Sequence, residues 1–106
     1  MIPSLDVVYR DIDSSAALTH TINEKYEKLA KYSDAIVNSR VVVDTPHKHN
    51  GKARIFRASI EMNIKGSPVT VSHDDESVHI AVRDAFNAAE RKLKAFTNKK
   101  RAQRYH

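Results

Sequence analysis

Among the side chains of this sequence that could do chemistry are six histidines, thirteen carboxylates and eighteen lysines and arginines. His47-Lys48-His49 sets two imidazoles close to Asp44, the beginning of a metal site. The surrounding TPHKHNGK reads as a turn punctuated by Pro46, Asn50 and Gly51, with no third ligand at a spacing that fixes geometry. His79 borders the apolar stripe of a helix, where an imidazole packed at the core edge is a simpler reading than a catalytic one. Asp74-Asp75-Glu76 has the composition of a magnesium site, but acids at a helix start cap free N–H groups and meet the positive end of the macrodipole. Two glycines, Gly51 and Gly66, cannot build a phosphate-cradling loop, and no Ser/His/Asp order carries a nucleophile elbow. Cysteine is absent, which excludes disulfides, thiolate chemistry and cysteine-ligated metals. These residues point to a protein that is not an enzyme, with no cofactor, no metal and no small-molecule substrate.

The cations offer more. Seven lysines and arginines and no acid fall between Arg91 and His106, whereas the other ninety residues hold eleven basic and thirteen acidic ones. An excess segregated in this way favours a polyanionic partner. Lys25, Lys28 and Lys31 repeat along one helix; Arg83, Arg91 and Lys94, with Lys92 and then Lys99, Lys100, Arg101 and Arg104, follow along another. Cations spread over two packed helices can span the phosphates of a folded RNA, by backbone and shape more than by sequence. These eleven are the candidate RNA contacts. Tyr9, Tyr32 and Tyr105 are the candidates for stacking on bases.

The elements that must position these cations follow from periodicity. LDVVYR, residues 5–10, is a β-prone first strand. After the capping residues Asp13, Ser14 and Ser15, the spacing of Leu18, Ile22, Tyr26 and Leu29 predicts a helix over 15–32. SRVVVD predicts a strand at about 39–44. ARIFRASIEMNIKG alternates Phe56, Ala58, Ile60, Met62 and Ile64 with polar neighbours, a strand with one dry face. Lys65-Gly66-Ser67-Pro68 is a tight connection into a last strand, VTVS. HDDESVHIAVRDAFNAAERKLKAF is a helix whose stripe is Val78, Val82, Phe86, Ala89, Leu93 and Phe96. The order β-α-β-β-β-α implies an α+β domain, a four-stranded sheet with both helices on one face and the other face wet. We place that domain at 1–97 and a basic C-terminal tail at 98–106. No apolar run is long enough to span a membrane, and the N-terminus has no secretory pattern, so a cytoplasmic protein with no membrane partner is expected.

DSSAALTHTINEKYEKLAKY, residues 13–32, resembles the first helix of the bacterial ribosome hibernation promoting factors, also called ribosome-associated inhibitor or sigma-54 modulation proteins. Asp13, Ala17, Leu18, Ile22, Glu24, Lys25, Lys28, Leu29, Lys31 and Tyr32 match that family's pattern. In SVHIAVRDAFNAAERKLKAF, Ala81, Val82, Arg91 and Leu93 match its second helix. Ser77 and His79 stand where the family has Asp and Tyr, Ala88 where it has a lysine, and Thr19 where an arginine is common. The resemblance implies a fold like double-stranded-RNA-binding domains and a protein on the small ribosomal subunit. There it would contact 16S rRNA in the mRNA and tRNA channel and silence idle ribosomes in stress or stationary phase, with a second hibernation factor as a candidate companion. It implies the short kind, and the absence of an acidic extension favours the promoting-factor type. Two other readings stand beside it: a general double-stranded-RNA binder, and a protein-interaction module using the exposed sheet face.

Overall fold

The structure, a computed structural model, describes residues 2–46 and 54–104, with side chains through residue 97. His47, Lys48 and His49, in the segment expected as a turn, and the terminal Tyr105 and His106 lie outside the described residues. Six elements follow in order: β1 (Ser4–Arg10), α1 (Ala16–Tyr32), β2 (Ile36–Asp44), β3 (Phe56–Ile64), β4 (Ser67–Asp75) and α2 (Val78–Arg104). The strands lie side by side as β1-β2-β3-β4, with β1 parallel to β2 and the other pairs antiparallel. This is the expected α+β architecture. Because β1 and β4 point the same way and each is followed by a helix that folds back, α1 and α2 run parallel to one another.

Register decides the two faces of the sheet. Val7, Val41, Ile60 and Val71 are aligned across the four strands, as are Leu5, Ser39, Met62 and Val69. These face the helices, and Val41, Ile60 and Met62 are almost fully buried against the stripes of α1 and α2. The alternate rows form the open face: Asp6, Arg40, Glu61 and Thr70 in one, Arg10, Asp44, Arg57 and Asp74 in another. Opposite charges neighbour one another across the strands there, three arginines against four acids, which stabilises a wet sheet surface while keeping it nearly balanced.

Several boundaries differ from the sequence expectation, among them the start of β2, at Ile36 rather than at about residue 39. The acidic run does not start α2. β4 pairs with β3 as far as Phe56↔Asp75, and the first turn of α2 has no acidic residue. Asp74 instead accepts a two-pronged bond from the Arg57 guanidinium, at 2.8 and 3.1 Å. That pairing holds the guanidinium pKa above its ordinary value, chiefly through the hydrogen bonds and then the charge of Asp74. Asp75 accepts the Ser77 N–H at 2.7 Å, and Ser77 takes the capping role, its hydroxyl oxygen facing the Ile80 N–H at 3.4 Å. The hairpin turn is also shorter than expected. Lys65 and Gly66, with φ of 49° and 88°, make a two-residue turn, while Ser67 and Pro68 already belong to the edge strand β4. Finally, the backbone of α2 stays helical through Arg104, so the stretch from residue 98 begins as a continuation of the helix.

Candidate nucleic-acid interface

Both helices are oriented by their stripes. In α1, Ser15 is the N-cap, its hydroxyl accepting the Leu18 N–H at 3.1 Å, and Leu18, Ile22, Tyr26 and Leu29 are buried. At 3.6 residues per turn, Lys25, Lys28 and Tyr32 then fall on one flank of that stripe. In α2 the buried set is Ala81, Val82, Ala85, Phe86, Ala89 and Leu93, and the small alanines let the helix lie close to β3 and β4. Arg83, Asn87, Glu90 and Lys94 occupy one flank of it. The two flanks face each other across an open groove of about 220 Å³, lined by Lys25, Lys28 and Tyr32 from α1 and by Asn87 and Glu90 from α2. Leu29 and Phe86 form its floor.

Lys94 bridges the walls: its ammonium lies 5.6 Å from the centroid of the Tyr32 ring and 3.4 Å from Glu90 Oε1. Arg83, about three turns toward the start of α2, is exposed and paired with Asp84 at 3.2 Å. Lys31 and Arg91 are exposed on the outer crests of their helices, so Lys31 leaves the row of Lys25 and Lys28. Lys92 is exposed on the flank of α2 away from α1 and is not brought to the groove. Lys99, Lys100, Arg101 and Arg104 lie on the helical backbone of α2 beyond the described side chains. Two wall residues escaped the sequence reading of the site. Asn87 was on the correct side of the helix but carries no charge to draw attention. Glu90 is an acid among bases, and its spacing of four from Lys94 was the available signal.

Three of the four positions that depart from the family pattern have local explanations. Thr19 shares a 2.7 Å hydrogen bond with the Tyr9 hydroxyl, which also donates to Ser15 O at 3.1 Å, tying β1 to the first turn of α1. Ser77 caps α2, as an aspartate there would. Ala88 is half-buried against the core. His79 is exposed, and nothing in the structure explains its choice.

Residues 5–101 match the family model described as sigma 54 modulation protein / S30EA ribosomal protein. A ribosome hibernation promotion factor from Deinococcus radiodurans is 23% identical over 95 residues, which is 90% of this chain and 49% of that protein; the chain thus spans about half of its relative. The N-terminal domain of Thermus thermophilus Protein Y superposes with a TM-score of 0.71 at 24% identity, covering 86% of this chain and 94% of that one. A ribosomal subunit interface protein from Coxiella burnetii superposes with a TM-score of 0.69 at 17% identity, covering 90% and 98%.

Proposed function

Since the chain belongs to the sigma 54 modulation protein / S30EA ribosomal protein family, we propose that it is a non-enzymatic ribosome hibernation factor of the cytoplasm. It binds the small ribosomal subunit through 16S rRNA, occupies the mRNA and tRNA channel, and so holds idle ribosomes inactive under stress or in stationary phase. The observation that carries this reading is the placement of Lys25 and Lys28 along one wall of the groove, with Lys94 of α2 reaching across to Tyr32, on helices fixed by a common core. Cations held on such a frame meet phosphates without first losing backbone freedom, so more of each contact is kept as affinity. Lys31, Arg83, Arg91 and Lys94 extend the same surface, and the basic end of α2 lengthens it. Lys92, on the far flank, has the weakest claim of the eleven.

Sedimentation with purified small subunits over a salt series tests the reading. Each phosphate neutralised contributes about 0.7–0.9 to the slope of log K against log salt, so co-sedimentation at low salt is expected to collapse within a few-fold rise in salt. Free protein at low salt, with none on the subunit, would sink the proposal. Competition by a plain A-form duplex as strong as by the subunit would turn it into the general double-stranded-RNA reading.

A further inference from the structure

A surface that only gathers phosphates has no use for most of what lines the groove between α1 and α2. Leu29 and Phe86, 5% and 6% exposed, give it an apolar floor, and the Tyr32 ring, 46% exposed, stands at its side. The Asn87 amide and the Glu90 carboxylate sit on the rim, in the one place where a negative charge should repel the backbone of an RNA. Its volume of about 220 Å³ is below the roughly 300–1,000 Å³ of sites for drug-sized ligands. That is space for one flat ring system.

Resting on the RNA-binding reading above, we propose that this groove takes a single unpaired base of the RNA, and that the base is guanine. An unstacked base has flat apolar faces and a polar edge, and RNA is read sequence-specifically where such bases splay out. Here the faces meet the floor and the Tyr32 ring, the edge meets Asn87 and Glu90, and the adjoining phosphate meets the ammonium groups of Lys25 and Lys28. The carboxylate decides among the bases. Guanine presents two donors side by side, N1–H and the N2 amino group, which the two oxygens of a carboxylate accept together. Adenine and cytosine set an acceptor nitrogen beside their amino donor, and uracil flanks its single N–H with carbonyl oxygens, so each turns a lone pair toward Glu90. Lys94 is a positioning residue: paired with Glu90 Oε1 at 3.4 Å and seated over the Tyr32 ring, it orients both, while Oε2 and the second lone pair of Oε1 remain to accept from the base.

The test is fluorescence anisotropy of the full chain with end-labelled single-stranded hexamers of uridine carrying one central guanosine, inosine, adenosine or cytidine. The guanosine hexamer is expected to bind at least about tenfold tighter than the adenosine or cytidine ones, the range of a two-pronged base contact. Inosine, which lacks the N2 amino group, should fall between. Glu90→Gln should bring the four within about twofold while binding to all-uridine RNA persists. Glu90 is partly exposed, and a thermal melt checks that the variant folds; Asn87→Ala, on the same rim, should narrow the preference by itself. Equal binding of all four hexamers by the unaltered protein, or a guanine preference that survives Glu90→Gln, overturns the inference and leaves the RNA-binding reading standing. Binding to no RNA at low salt removes both.

Discussion

Tyr26 lies in the middle of the α1 stripe with 2% of its surface exposed, yet it brings a hydroxyl into the core. The hydroxyl lies 3.1 Å from Ser39 Oγ on β2 and 3.3 Å from Ser4 O on β1, so one side chain ties the helix to two strands. Tyr26→Phe keeps the ring but leaves Ser39, itself 7% exposed, short of a partner. The expected cost is about 1–2 kcal/mol in urea unfolding near neutral pH. Burial pushes the Tyr26 pKa above its ordinary value, with the Ser39 bond acting against it. A raised folded-state pKa means the unfolded chain ionises first. Stability is therefore full below about pH 10 and falls as pH rises through the folded-state value. The phenylalanine variant lacks that loss, so the gap between the two proteins should narrow from pH 8 to pH 10.5. A gap that widens would show that the hydroxyl is not protected from ionising as its burial implies.

The β3–β4 hairpin isolates backbone strain at the level of an element. Lys65 and Gly66 both have positive φ, as a two-residue turn between right-twisted strands demands, but only glycine, asparagine and aspartate visit that region routinely. Lys65→Asn is expected to raise stability by about 1 kcal/mol. Gly66→Ala should lower it by about 1–2 kcal/mol, although a Cβ there would meet nothing within 4 Å. Opposite signs in paired unfolding curves confirm the turn, and a matching sign for both denies it. The same hairpin shows how legible the fold was. The alternation of Ala58, Ile60, Met62 and Ile64 identifies β3 in the sequence, and the 3.6-residue stripes identify both helices. β4 is harder, because Asp74-Asp75-Glu76 looks like a helix start and only pairing with Arg57 and Phe56 shows strand. The site divides similarly. A wheel separates Lys25 and Lys28 from the core, but no single helix reveals which flank faces its neighbour. Glu90 acquires its place in the groove only once α1 lies alongside.

For the whole molecule the question is whether net charge or its placement governs binding. The chain carries +5, and one explanation of RNA affinity is simply a positive body. The structure separates the alternatives, because Arg10 and Arg40 are exposed on the open sheet face while Lys25 and Lys28 line the groove on the opposite side. On the sheet, Asp44 and Arg57 follow Arg10 across the strands, and Asp6 and Glu61 flank Arg40, so the local field there is close to balanced. Lys25→Gln/Lys28→Gln and Arg10→Gln/Arg40→Gln each remove two positive charges and leave +3. If bulk charge governs, both variants weaken subunit binding alike. If placement governs, the first should lower the slope of log K against log salt by about 1.4–1.8 and weaken binding by an order of magnitude or more. The second should stay within about twofold of the unaltered protein, since long-range effects of exposed charges are screened beyond roughly 10 Å at 0.1 M salt. Titration of labelled protein with small subunits at three salt concentrations reads both quantities. Equal losses for the two variants would move the interface off the helices and onto the molecule as a whole.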